Sequence, residues 1–133
     1  MEYRKHQQNP RHFFVGLMLY LLSIPIVILD FFLELYHHIC FPLLGLPLVK
    51  RSDYIRNDRH HLSYLSAWEK LNCTYCGYAN GFIMYAMRIA GETERYWCGI
   101  KHKEDPTFIP PPHHQFFLSY GNEEEFKEFI KKK

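Results

Sequence analysis

Between Phe13 and Leu29 the chain carries no charged side chain, and its apolar character continues to Val49. A run of this kind has to be taken up by a large core or by a bilayer, because it would otherwise expose a wide apolar surface to water. As a helix, Phe13 to Leu29 spans roughly 26 Å at ~1.5 Å per residue, a little less than the ~30 Å of a hydrocarbon layer. Extending it from Asp30 to Leu35 completes a crossing but brings two acids to one interface. The basic start (Arg4, Lys5, Arg11) also suits a secretory signal, yet no Ala-x-Ala-like site follows and the first alanine is Ala67. A retained anchor is therefore expected.

Residues 31–49 stay apolar but include Glu34, His37 and His38, and Pro42, Gly45 and Pro47 interrupt the later part. They fit a re-entrant or hairpin arm, or an amphipathic stretch in the interface. Basic residues lie on both sides, Arg4, Lys5 and Arg11 before and Lys50, Arg51, Arg56 and Arg59 after. Charge asymmetry therefore gives a single crossing no direction and suits a hairpin with both ends inside.

The 133 residues leave room for one membrane segment and one compact domain, and a core that small usually needs a metal, a disulfide or a partner. The net charge of +2 lacks the basic excess of a dedicated nucleic-acid binder. Four cysteines, two of them in a Cys-x-x-Cys pair, fit metal binding in a reducing compartment better than a secreted disulfide framework, so the cysteine-bearing part is expected in the cytosol.

The polarity pattern predicts a mostly α chain in three parts: a membrane anchor over 1–49, a helical Cys/His domain over 50–105, and a proline-rich connector with an amphipathic helix over 106–133. Ser52 or Asp53 would cap a helix running to about Asn72, with Leu62, Leu65, Trp68 and Leu71 as its apolar stripe. A turn from Cys73 to Gly77 would follow. A second helix from about Asn80 would bury Phe82, Ile83, Ala86, Met87, Ile89 and Ala90. Pro106 and Pro110 to Pro112 predict extended chain over 103–115. Asn122 would cap a last helix with Glu123, Glu124 and Glu125 at its start and Lys131 to Lys133 at its end, as the helix dipole prefers.

Cys73, Cys76, Cys98 and His102 form a C-x2-C-x21-C-x3-H spacing that suits a tetrahedral ion, with zinc the default occupant. A straight helix from Asn80 to Trp97 would carry Cys98 roughly 25 Å from Cys76. The quartet therefore requires the helix to stop near Ala90-Gly91; otherwise Cys98 and His102 meet other partners, such as His60 or His61. The plain alternative is that the thiols are small buried residues. A thioredoxin-like redox pair is disfavoured because a helix is predicted before the motif and a loop after it.

Asp30, Glu34 and His37 or His38 recur at helical spacing, and Glu34-x-x-His37 is half of a di-iron carboxylate motif. Further pairs occur at His60-His61 and His113-His114. A membrane di-iron or other metal-dependent oxidoreductase is the rival reading, weakened by the lack of a second Glu-x-x-His copy. In the bland reading, Asp30 and Glu34 sit at the interface, His60 and His61 on a polar helix face, and His113 and His114 in an exposed linker.

Asn72-Cys73-Thr74-Tyr75-Cys76-Gly77-Tyr78-Ala79-Asn80-Gly81 and Tyr96-Trp97-Cys98-Gly99-Ile100-Lys101-His102 resemble the motifs of a family of small, uncharacterised bacterial membrane proteins. The resemblance reaches from the apolar segment to about His102. It implies a place in the bacterial cytoplasmic membrane and brings no known activity to carry over. The sequence thus predicts a membrane-anchored accessory or interaction protein with zinc on Cys73, Cys76, Cys98 and His102, the alternative metal being iron. Its expected partners are the lipid bilayer and a membrane protein, with no nucleic acid and no small-molecule substrate inferred.

Overall fold

A single helix, α1 (Pro10–Leu43), takes up the apolar run and continues without a break through Asp30, Glu34, His37 and His38. The computed structural model describes residues 10–131; Arg4, Lys5, Lys132 and Lys133, read above as terminal charges, lie outside them. Within α1, Phe13–Leu43 is long and apolar enough to cross a membrane, and only 6% of its most apolar window is buried, unlike the core helix of a soluble globule. The helix stops at Gly45, whose φ of +69° is the left-handed conformation that glycine adopts without strain. Leu46 N–H there reaches back to the Phe41 carbonyl at 2.8 Å.

The chain is mostly helical, as the sequence predicts, and among the described residues it has no β-strand. Its second long helix differs from the expected pair. Residues 50–66 form a connector with short 3-10 turns at Arg51–Asp53 and Arg59–His61 in place of the expected helix to Asn72. Helix α2 (Ala67–Trp97) then runs unbroken through the predicted Cys73–Gly77 turn and past Gly91.

Its start is a capping box: the Ser66 hydroxyl accepts from Glu69 N–H at 3.3 Å, and a Glu69 carboxylate oxygen accepts from Ser66 N–H at 2.8 Å. Its end is set by Gly99 (φ +63°), where Cys98 and Gly99 N–H both reach the Glu94 carbonyl. Two expected apolar faces are also corrected, since Trp68 of the first is 68% and Ile83 of the second 56% exposed. Phe82 and Ile89 are buried as predicted.

The glycines read as loop and stop signals serve close packing. A Cβ on Gly77 would lie 2.9 Å from the Arg56 carbonyl oxygen, and one on Gly81 would lie 2.6 Å from that of Tyr54. The connector backbone therefore rests directly on α2, where side chains would hold it away. Tyr20 bonds Asn72, Tyr78 bonds Asp30 and Tyr85 bonds His37, so residue numbers rise together and α1 and α2 run parallel. The connector returns between their levels.

Two compact units divide at Ala86 and Met87. The first has a core of Phe41, Phe82, Tyr85 and His37. The second contains the last turns of α2, an isolated parallel bridge pairing Ile100 with Leu118, a 3-10 turn (Pro112–Phe116), and α3 (Glu123–Lys131). Helix α3 is capped by Asn122 as predicted, its side-chain oxygen accepting from Glu125 N–H at 3.1 Å.

Candidate metal centre

Two groups of ligand-type side chains converge in the described residues: Glu34 with His37 and His38 in the first unit, and Glu94 with His113 and His114 in the second. Their surroundings differ in ways that decide between them.

The first group is already saturated. Arg51 clamps Asp30 with both branches of its guanidinium, at 2.5 and 2.6 Å, and reaches Glu34 at 2.7 Å. Tyr78 donates to the second Asp30 oxygen at 2.6 Å. Burial, reinforced by that carboxylate, pushes the Tyr78 phenol up to about 12, so the hydroxyl stays a donor. The buried His37 ring has both nitrogens in use: Nε2 accepts from Val49 N–H at 2.9 Å, which leaves the proton on Nδ1, 3.0 Å from the Tyr85 hydroxyl. The remaining Glu34 oxygen pairs with His38 Nδ1 at 3.1 Å. A metal here would have to displace a guanidinium and a backbone N–H. The arrangement reads as a latch that ties the connector to α1 and α2.

The second group is a carboxylate shared by two imidazoles. Glu94, on the last turns of α2, places one oxygen 2.7 Å from His113 Nε2 and the other 3.1 Å from His114 Nε2. The 3-10 turn that follows the proline run aims both rings at it. The hydrogen bond from His113, aided by His114 and opposed by burial, holds the Glu94 carboxyl below its usual range. His114 is only 3% exposed, and its Nδ1 is buried without a partner. A solvent-shielded imidazole that turns Nε2 toward a carboxylate already shared with a second imidazole has the chemistry of a metal ligand. Beside it opens a cleft of about 810 Å³ whose walls include Lys101, His102, Phe108, Pro111 and His114.

The predicted quartet is not assembled. It depended on the helix ending near Gly91, and α2 continues to Trp97. Cys73 and Cys76 lie inside α2, and all four cysteines of the chain are free thiols. None belongs to a group of three or more converging ligands among the described residues. His102 does find other partners, though neither His60 nor His61: its ring lies 5.3 Å from that of His114 and 5.5 Å from that of Phe108. His60 and His61 stack on one another at 3.8 Å, both exposed.

Glu94 was not singled out in the sequence, and His113-His114 were read either as one of the histidine pairs of a metal-dependent oxidoreductase or as part of an exposed linker. The one local signal was the Pro110 to Pro112 run, which stiffens the segment presenting both histidines. The chain matches no family model, no curated protein and no solved structure.

Proposed function

We propose that this chain is a membrane-anchored zinc protein acting as an accessory or interaction module, with Glu94, His113 and His114 as the ligands. The observation that carries the proposal is the single carboxylate held between two imidazole Nε2 atoms, one of them on a buried ring. Glu94 would supply oxygen and the two histidines Nε2, each ring carrying its proton on Nδ1. Two imidazoles and a carboxylate are borderline and hard donors that suit zinc. Three protein ligands leave the fourth position to water or to a donor from a partner, in contrast to a closed Cys3His set.

The same donor set also suits ferrous iron, so a metal-dependent oxidoreductase is the second reading. That reading moves from Glu34 to Glu94, because Arg51 and His38 occupy the Glu34 oxygens.

Metal analysis of the detergent-purified protein, with an optical spectrum, tests both. Zinc near stoichiometry without a visible band is expected for the wild type and for Cys76→Ser, and loss of zinc for Glu94→Gln and His113→Ala. Iron at the same ratio would favour the oxidoreductase. Zinc that survives both ligand variants but is lost with Cys76→Ser would overturn the assignment.

A further inference from the structure

Glu94, His113 and His114 leave one position of a tetrahedral ion to be filled, and a further imidazole stands next to them. Zinc holds an imidazole nitrogen at ~2.0–2.1 Å, so two imidazoles on one tetrahedral ion have ring centres about 5 Å apart. The His113 and His114 rings meet that separation, at 4.9 Å. So does His102, whose ring centre lies 5.3 Å from that of His114 and on the wall of the same cleft. His114 therefore has two imidazole neighbours, each at the spacing of a co-ligand.

The backbone holds His102 in this place. Gly99, at φ +63°, turns the chain off α2. Leu118 N–H then donates to the Gly99 carbonyl and Lys101 N–H to the Leu118 carbonyl, both at 2.8 Å. These bonds tie the residue before His102 to the segment that presents His113 and His114, so little further ordering of the chain is needed to bring a third imidazole to the site. The ring itself is less constrained. It is exposed, residues 101–105 have no regular secondary structure, and its nitrogens hold no hydrogen bond among the described residues. As the ring stands, packed edge-on to Phe108 at 5.5 Å, its nitrogens lie outside the converging group. Reaching a shared ion requires it to turn about its side-chain bonds, with no hydrogen bond to break.

We infer that His102 is the fourth ligand, completing the site formed by Glu94, His113 and His114. The inference rests on the metal site proposed above and names the donor for the position left open there, which water or a partner holds only while the His102 ring stays turned away. Three imidazoles and a carboxylate from one chain close the coordination sphere, as in structural zinc sites, and leave a substrate no place on the ion. That favours the accessory module over the oxidoreductase.

Cobalt(II) bound in place of zinc to the full chain in detergent tests the assignment, because its visible bands report the number and the kind of ligands. The wild type is expected to give the bands of a four-coordinate centre, with no sulfur-to-cobalt charge-transfer band and no response to thiocyanate, which enters only at an open or water-filled position. His102→Ala, at an exposed position and checked for fold by circular dichroism, is expected to bind cobalt at least ~10-fold more weakly, the lower bound for losing even a ligand's support. It should also respond to thiocyanate, and added imidazole should restore the wild-type bands. The wild-type thiocyanate result decides the matter if the variant does not fold. A wild-type spectrum that thiocyanate shifts, or a His102→Ala spectrum and affinity identical to the wild type's, would leave the three-ligand site standing and overturn the fourth ligand. So would a charge-transfer band that disappears with Cys98→Ser, which would put that thiol, four residues after Glu94, in the position instead. Cobalt uptake that fails in the wild type, or survives Glu94→Gln unchanged, would overturn the proposed site itself and this inference with it.

Discussion

A methyl group built onto Gly91 would come within 2.8 Å of His113 Nδ1 and 2.9 Å of its Cγ. In an open helical position, glycine to alanine gains ~1 kcal/mol. Here the methyl meets the back of a proposed ligand, and overpacking of this kind costs ~1–3 kcal/mol or moves the neighbour. Gly91→Ala is expected to push His113 off Glu94 and weaken zinc binding by ~10-fold or more, the range seen when a ligand's support is disturbed. Titration against a chelating dye reads this directly. Unchanged affinity would remove His113 from the ligand set. None of this geometry was available to spacing arguments. Glu94 meets His113 only because the proline-stiffened loop returns to the helix, and a pattern search over neighbouring positions has no access to such a contact. The cysteines gave the opposite error: their spacing was favourable, but the 31-residue helix through them keeps the motif from folding back.

At the scale of the element, local chemistry was legible where it acts locally. The Asn122 cap and the acidic first turn of α3 were read correctly, and Ser66-x-x-Glu69 is a start signal that could have placed α2. The stop signals were harder, because glycine has two uses. Gly45 and Gly99 end helices through positive φ, whereas Gly77, Gly81 and Gly91 lie inside α2 and make room for other parts of the chain. Composition alone does not separate these roles. Gly81→Ala separates them experimentally. Its Cβ would meet backbone, Tyr54 O at 2.6 Å and Ile55 Cα at 2.9 Å, which cannot swing aside as a long side chain can. The substitution should destabilise the first unit by about 1–3 kcal/mol despite alanine's better helix propensity. Thermal unfolding in detergent checks this; a raised melting temperature would show that the connector does not rest on α2.

On the scale of the whole molecule, the apolar helix and the candidate metal ligands fall in different units. Helix α1, with its exposed face, belongs to the first, and Glu94, His113 and His114 belong to the second. Chelation with EDTA is therefore expected to strip the metal without releasing the protein from vesicles, and co-sedimentation before and after treatment measures it. Release on chelation would make the metal part of the membrane contact. The latch at Arg51 also gains its place at this scale: it fixes the connector between two helices that point the same way. Helix macrodipoles that would cancel in an antiparallel hairpin therefore add here, each placing about half a positive charge at its N-terminal end. At the beginning of α2 the Glu69 carboxylate of the capping box sits on that partial charge and offsets it, so the aligned dipoles are answered from within the chain and call for no outside anion there.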